Sequence, residues 1–322
     1  MSRFRLSVTA KGEDYEAIVI GAGPAGLTAA LYLARYGVKV VVVSKDIGGR
    51  MAIAPLIEDY PGVEPIPGAK LVEMFVQQLQ RYGVPIVIDE VVDLRKEGEK
   101  WCAYTVSDRR VCGYTVILAI GCRRRKLGVV GEDRLLGRGV SYCATCDGPL
   151  FRGKVVAVIG GGNAALTSAL YLASIASRVY LVHRRREFRA FPIYVEKVRS
   201  NPKIELVLES VVTEIIGKDR VEGIKVKNVV SGEERVIAVD GVFIEIGSEP
   251  PTEFLKKIGI EVDEKGYAVV KPDRSTNLEG VFAAGDVAGG PYKYRFEQIV
   301  TAVADGAIAA DAAFKYLLRF RR

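Results

Sequence analysis

Two stretches of this chain are nearly the same stretch. Leu27-Thr28-Ala29-Ala30-Leu31-Tyr32-Leu33-Ala34 and Leu166-Thr167-Ser168-Ala169-Leu170-Tyr171-Leu172-Ala173 differ at one position in eight. Each follows a short apolar run and a glycine-rich turn. The first copy has Ala17-Ile18-Val19-Ile20 before Gly21-Ala22-Gly23-Pro24-Ala25-Gly26; the second has residues 155–159 before Gly160-Gly161-Gly162-Asn163-Ala164-Ala165. An apolar run, a glycine turn and helix-forming residues spell strand, tight turn, helix. A repeat at so large an offset predicts a duplicated domain and not a solenoid. Glycines let the backbone turn sharply and approach a pyrophosphate, whose charge is favoured by amides at the helix N-terminus. Packing alone also places glycines between strand and helix, and is the competing reading. Two dinucleotides are expected.

At 322 residues the chain is too long for one comfortable core, and two domains are expected. After the first repeat, 71–82 has the pattern of an amphipathic helix, and 85–94 and 101–106 read as strands of an added layer joined by a hairpin turn at 107–110. Residues 115–120 form a buried strand ending at Gly121, and Arg123-Arg124-Arg125-Lys126 resembles a crossover between domains. Further strands follow at 221–226 and 235–246, and 247–251 leaves the second domain. The chain then returns to the first, with a strand ending in Gly285-Asp286 and an alanine-rich helix at 299–316. The expected fold is α/β: two Rossmann-like dinucleotide-binding domains, duplicated, one inserted in the other, with added β layers. The segments are 1–125, 126–250 and 251–322.

The ends of the second strands distinguish the two nucleotides. After 38–43 the sequence reads Ser44-Lys45-Asp46 where an acid at the strand end would bind ribose, so Ser44 and backbone groups are expected to serve there. Loops at Gly48-Gly49-Arg50 and Glu58-Asp59-Tyr60-Pro61-Gly62 sit where strand ends meet a ligand. In the second copy, 179–182 leads into His183-Arg184-Arg185-Arg186-Glu187-Phe188-Arg189. A carboxylate would repel the 2′-phosphate of NADP, whereas planar guanidinium groups bind it bidentately. NADPH is therefore expected over NADH, against the alternative of a solvated basic loop. Asp286 either holds the ribityl hydroxyls of a flavin or caps a turn.

Between the two nucleotide turns stands Cys143-Ala144-Thr145-Cys146-Asp147. Thiols separated by two residues can close a small disulfide ring and exchange an electron pair with another disulfide. Asp147 is the candidate proton donor, with capping of the next turn as the competing role. Zinc needs about four ligands, yet there is no second closely spaced cysteine pair, and His183 is the single histidine. Cys102, Cys112 and Cys122 are expected to pack as small apolar residues: pairing of Val106 with Val111 would leave Cys102 and Cys112 out of register for a bridge.

Residues 1–16 carry Arg3, Arg5 and Lys11 but no apolar core with a small-residue cleavage site, so a cytoplasmic enzyme is expected, its five cysteines free or catalytic. No apolar run approaches the roughly 18 residues of a membrane span. The net charge of +7 is spread among acidic residues, which speaks against nucleic acid as partner. Scarce Gln and Asn beside abundant Val, Ile, Arg and Glu suggest a heat-adapted source.

Taken in order, the glycine turn at 21–26, Gly48-Gly49, the 143–147 box, the turn at 160–165, His183-Arg184-Arg185 with Arg189, and Ala283-Ala284-Gly285-Asp286 followed by Gln298 resemble the low-molecular-weight thioredoxin reductases over essentially the whole chain. The resemblance implies FAD at Gly21, Gly23, Pro24, Ala25, Gly26, Ser44, Gly48, Gly49, Arg50, Asp59, Val91, Gly121, Gly285, Asp286, Glu297, Gln298 and Ile299. It implies NADPH at Gly160, Gly162, Asn163, Ala164, Ala165, His183, Arg184, Arg185, Arg189 and Ile246, and a homodimer.

It further implies that Cys146 faces the flavin while Cys143 attacks the disulfide of a thioredoxin or glutaredoxin-like protein, with Asp147 as the acid and the second domain rotating between two states. Several residues depart from the family pattern. Arg50 stands where many relatives have glutamine, Asp59 where some have asparagine, and Glu297 where arginine or lysine is common. Ala164 and Ser168 replace polar or acidic residues. The rival readings are a flavin-dependent oxidase or reductase passing electrons to oxygen, a peroxidase partner or ferredoxin, and a redox-sensing flavoprotein.

Overall fold

The computed structural model describes residues 14–54 and 56–321, so most of the stretch on which the leader reading rests lies outside the described residues. The chain divides into two compact units: residues up to 123 together with those from 250 onward, and residues 124–249.

In the first unit, β1 (Ala17–Ala22), β2 (Val40–Ile47), β3 (Ile86–Ile88), β4 (Val91–Glu97), β5 (Lys100–Thr105), β6 (Arg110–Gly113) and β7 (Thr115–Leu118) precede the crossing to the second unit. A parallel sheet runs in the order Val281–Ala283, β7, β1, β2, β3. Its strands are apolar through their central positions, 17–20, 40–43 and 116–118, because both faces are covered. Ala17, Val19, Val40 and Val42 enter one core with α1 (Pro24–Arg35) and the helix Ile299–Leu317, while Ile18, Ile20, Val41 and Val43 enter the other with Leu94, Trp101 and Val111 of the β4–β5–β6 layer.

Two expectations about this layer are corrected. Residues 85–94 make two strands, because the chain turns at Asp89, whose carboxylate accepts Glu90 N–H at 2.9 Å and Thr105 Oγ1–H at 2.7 Å. β3 thereby joins the parallel sheet and β4 the antiparallel layer. The second correction concerns Cys102 and Cys112, which are joined in a disulfide and do not merely pack. Val106 does not pair with Val111. The turn closes with Thr105 N–H donating to Arg109 O at 3.0 Å, and Asp108 takes a left-handed φ of 54°. Ala103 therefore faces Val111 and Cys102 faces Cys112. The cysteines were not all free or catalytic.

The second unit repeats the scheme. Its parallel sheet runs Ile204–Val207, Arg178–Val182, Val155–Ile159, Gly241–Ile244, Val140–Ser141. The edge strand Val140–Ser141 occupies the position that Val281–Ala283 holds in the first unit, but it reaches that position from upstream of the repeat. Its next two residues are Tyr142 and Cys143. The strand expected over 235–246 is two strands, Glu234–Ala238 in an antiparallel layer and Gly241–Ile244 in the parallel sheet. Asp240 makes the break: its N–H donates to Val155 O at 2.7 Å and its carboxylate accepts Val155 N–H at 3.0 Å.

Candidate active site

The two glycine turns are built alike. Gly21 has a φ of 104° and Gly160 of 151°, and a Cβ on either would overlap a carbonyl oxygen, that of Ala119 or of Glu245. Residues 119 and 245 are thus equivalent, which accounts for the single mismatch in the repeat. Where Ala29 packs in the first copy, Ser168 donates its hydroxyl to Glu245 Oε1 at 3.1 Å, and Arg124 pairs with the other oxygen of that carboxylate at 3.1 Å. The turns differ at their middle residue as well. A Cβ on Gly161 would overlap the His183 ring, which is buried beneath it and stacked on Phe188.

Around both turns there is room for a ligand. Nothing lies within 4 Å of where a Cβ would stand on Gly23, Gly121 or Gly162. The helices that follow, α1 and Asn163–Ala173, have no side-chain cap and no acid in the first turn, so their amides face that space. A pyrophosphate fits both cradles. Asn163, Ala164 and Ala165 form the first turn of the second helix, and Asn163 Oδ1 accepts Phe191 N–H at 2.7 Å. Ile246 lies two residues past the end of the strand Gly241–Ile244.

The basic loop is tied to the second turn: Arg189 N–H donates to Gly161 O at 2.7 Å. Arg184, Arg185 and Arg189 are exposed, and no ion pair among the described residues neutralises them. Repulsion from Arg189, then desolvation, then Arg184 push the Arg185 guanidinium below its usual value. Crowded cations without carboxylates suit a dianion. His183 is also pushed below the usual histidine value, by burial first and by Arg185, Arg184 and Arg189 in addition; its hydrogen bond with Glu187 O opposes them.

Residues expected around a flavin cluster in the first unit. Gly49 approaches Gly23 and Gly285 approaches Ala25. Arg50 Nη1 lies 3.4 Å from Asp286 Oδ2 and 3.4 Å from Glu297 Oε2, and Arg295 pairs with Glu297. Burial raises the Asp286 carboxyl, with Glu297 adding to it and Arg50 countering. Gln298 caps the helix that begins at Ile299. Ser44 is placed beside β1, but its hydroxyl is engaged, accepting Ala22 N–H at 2.9 Å and donating to Asp46 O at 2.7 Å. Asp59 is exposed in its loop and Val91 opens β4; no hydrogen bond among the described residues joins either to the Asp286 cluster.

Sequence reasoning missed Asp305, Lys293 and Arg274. Asp305 is buried, accepts Gly285 N–H at 3.1 Å, and pairs with Arg274 at 2.8 Å and Lys293 at 2.6 Å. An acid inside the alanine-rich 299–317 helix was the available signal.

Cys143 and Cys146 are joined in a disulfide. Cys143 stands as N-cap of the one-turn helix Ala144–Asp147, and its sulfur accepts Cys146 N–H at 3.1 Å. Cys146 is exposed and Cys143 half-buried. Asp147 caps nothing: among the described residues its carboxylate has no hydrogen bond or ion pair. The strand Val140–Ser141 brings this pair to the carboxyl edge of the sheet that carries Gly160, two strands away, or about 10 Å at ordinary strand spacing. Ligands of open α/β sheets bind along that edge.

Duplicated parallel sheets with nucleotide turns and a redox disulfide on one of them define a class, and residues 15–306 match it: the chain belongs to the pyridine nucleotide-disulphide oxidoreductase family. It is 40% identical over 306 residues to the thioredoxin reductase of Treponema pallidum, covering 94% of this chain and 97% of that one. It is 39% identical to that of Listeria monocytogenes, covering 94% of each. The crystal structure of Lactococcus lactis thioredoxin reductase superposes with a TM-score of 0.90 at 38% identity, covering 95% of this chain and 100% of that one. That of T. acidophilum thioredoxin reductase superposes with 0.89 at 37%, covering 94% and 99%. Within the family the chain groups with the thioredoxin reductases, which use FAD and NADPH.

Proposed function

We propose that this chain reduces the disulfide of a thioredoxin, or of a glutaredoxin-like protein, at the expense of NADPH. The observation that carries the reading is the Cys143–Cys146 disulfide on the carboxyl edge of the sheet that bears the Gly160 turn and the arginine loop. FAD, when bound, supplies the two-electron step between hydride donor and disulfide. Gly21, Gly23, Gly26 and Asp286 hold it, the last through ribityl hydroxyls, with Arg50 and Glu297 beside it. Gly160, Gly162 and the amides at Asn163–Ala165 take the pyrophosphate of NADPH. Arg184, Arg185 and Arg189 take its 2′-phosphate.

Two electrons and two protons open the Cys143–Cys146 bond to a dithiol. The Cys143 thiolate then attacks the partner disulfide, forming a mixed disulfide, and Cys146 displaces the partner as a dithiol and restores the ring. Asp147, whose carboxylate has no hydrogen bond or ion pair among the described residues, is the acid for the leaving thiolate. The +7 charge favours an acidic docking face on the partner. We assign the enzyme to the cytoplasm as a homodimer. A heat-adapted origin accords with its composition and with the added Cys102–Cys112 bond.

Anaerobic titration with NADPH tests the reading. The native holoenzyme is expected to take up about four electrons per subunit and Cys143→Ser/Cys146→Ser about two. Uptake of two by both would move the protein to the flavin-dependent oxidase reading.

A further inference from the structure

Glu132 is 2% exposed, and its carboxylate has three hydrogen-bond donors and no ion pair among the described residues. Oε1 accepts Leu127 N–H at 2.8 Å and the Tyr142 hydroxyl; Oε2 accepts Gly128 N–H at 2.6 Å. A buried carboxylate held by hydrogen bonds with no ion pair is costly, and an apolar side chain would fill the site at less cost. The turn that presents it is rigid: Gly131 has a φ of 93°, and a Cβ there would overlap Ile215 O. Glu132 thus ends a fixed loop, and the group it reaches from that loop is the phenol of the residue next to Cys143.

Cys143 is gripped on its other side too. Its N–H donates to Ser141 Oγ at 2.9 Å, and Ser141 Oγ–H donates to Cys143 O at 3.2 Å. Ser141 is itself in register with Phe243 of the parallel sheet. Burial and the Glu132 charge push the Tyr142 hydroxyl above its usual value, so it stays a donor at any working pH. When the disulfide opens, the two sulfurs must part. With residues 141–143 gripped, rotation of the Cys146 side chain alone is enough to part the sulfurs, and the Cys143 sulfur keeps the Cys146 backbone N–H that it accepts at 3.1 Å.

We propose that Glu132 and Tyr142 are positioning residues for the redox centre: their buried hydrogen bond holds Cys143 where its thiolate is stabilised and aimed at the incoming disulfide. This rests on the disulfide reductase reading above. Neither residue touches the reacting sulfurs.

The test is alkylation of the NADPH-reduced holoenzyme by iodoacetamide across pH 5 to 9, with the Cys143 adduct counted by peptide mass spectrometry. In Tyr142→Phe, which keeps the ring, the Cys143 thiol is expected to titrate about one pH unit higher. The alkylation rate near pH 6 then falls by about tenfold, as one unit of thiol pKa predicts. The kcat/KM for a protein disulfide should fall severalfold, while KM for NADPH and the rate of flavin bleaching stay native. Glu132→Gln should reproduce this, and the double variant should lose no more than either single one; if Glu132→Gln does not fold, Tyr142→Phe alone decides.

A native pH profile in Tyr142→Phe, with or without a lower Tm, would overturn the proposal by making the bond structural only. Absence of any Cys143 adduct in the NADPH-reduced native protein is a different failure. It would sink the reductase reading itself.

Discussion

Arg50 and Glu297 lie 3.4 Å apart, so two charged side chains 247 residues apart in sequence are partners. The Arg50 guanidinium faces both Glu297 and Asp286. Arg50→Gln and Glu297→Gln are expected to show coupled effects in a thermal double-mutant cycle of the holoenzyme. About 0.5–1 kcal/mol is expected for this half-exposed pair. Strict additivity would show that the two side chains are not coupled energetically.

Cys102 and Cys112 face each other across β5 and β6 with 4.1 Å between Cα atoms, both buried. Burial keeps attacking thiols out, so this bond is expected to survive NADPH reduction that opens Cys143–Cys146 completely. Mass spectrometry of differentially alkylated peptides reads both at once. Removing the bond in Cys102→Ala/Cys112→Ala should lower stability by about 2–4 kcal/mol, seen as a fall of several degrees in Tm. Alkylation of Cys102 in the native fold would contradict the assignment.

The arginine loop should set the choice of nucleotide. Loss of one charge-assisted contact costs about 1.5–3 kcal/mol. Arg189→Ala is therefore expected to raise KM for NADPH by about ten- to a hundredfold while leaving KM for NADH nearly native, and the NADPH value should be the one that climbs with salt. Equal losses for both nucleotides would mean that the loop acts on the Gly161 turn through its backbone.

His183 predicts an acid limit for the second unit. Its folded pKa lies below the ordinary 6.5, chiefly through burial. In the unfolded chain the ring takes a proton near 6.5; in the folded chain it does so only at lower pH. The stability tied to its neutral form is therefore complete above pH 6.5 and is lost as pH falls from there through the folded value. His183→Asn should be less stable at pH 8 and should show a flatter fall between pH 7 and 5 in urea titrations. Parallel curves would exclude His183 as the group responsible.

Gly160→Ala should separate the two units functionally. Its Cβ would overlap Glu245 O, and its φ of 151° disfavours any side chain. Overpacking of this kind costs about 1–3 kcal/mol. NADPH turnover should collapse while the bound-flavin spectrum persists. Loss of flavin together with turnover would show that the damage spreads beyond the second unit.

Much of this was legible in the chain itself. The repeat at 27–34 and 166–173 forecast two like sheets, because strand, glycine turn and helix are local structures fixed by neighbouring residues. Gly21 and Gly160 could be found for the same reason: a turn that forbids a side chain leaves its mark at one position. The arginines after 182 and the spacing of Cys143 and Cys146 also carry their chemistry in local order.

Partnerships between distant segments were not legible. The register of β5 on β6 depended on where one hairpin turn closed, and a shift there converted two expected packing cysteines into a bonded pair. Asp89 and Asp240 split expected strands because each carboxylate found a partner beyond its own stretch, the Thr105 hydroxyl for Asp89 and Val155 N–H for Asp240. Arg50 with Glu297, Asp305 with Lys293, and Glu132 with Tyr142 are likewise contacts of folding. The amino-acid order determined the local units and the chemical groups they carry; the tertiary structure decided which buried charges meet, since that depends on distances set only when the sheets and their loops have packed.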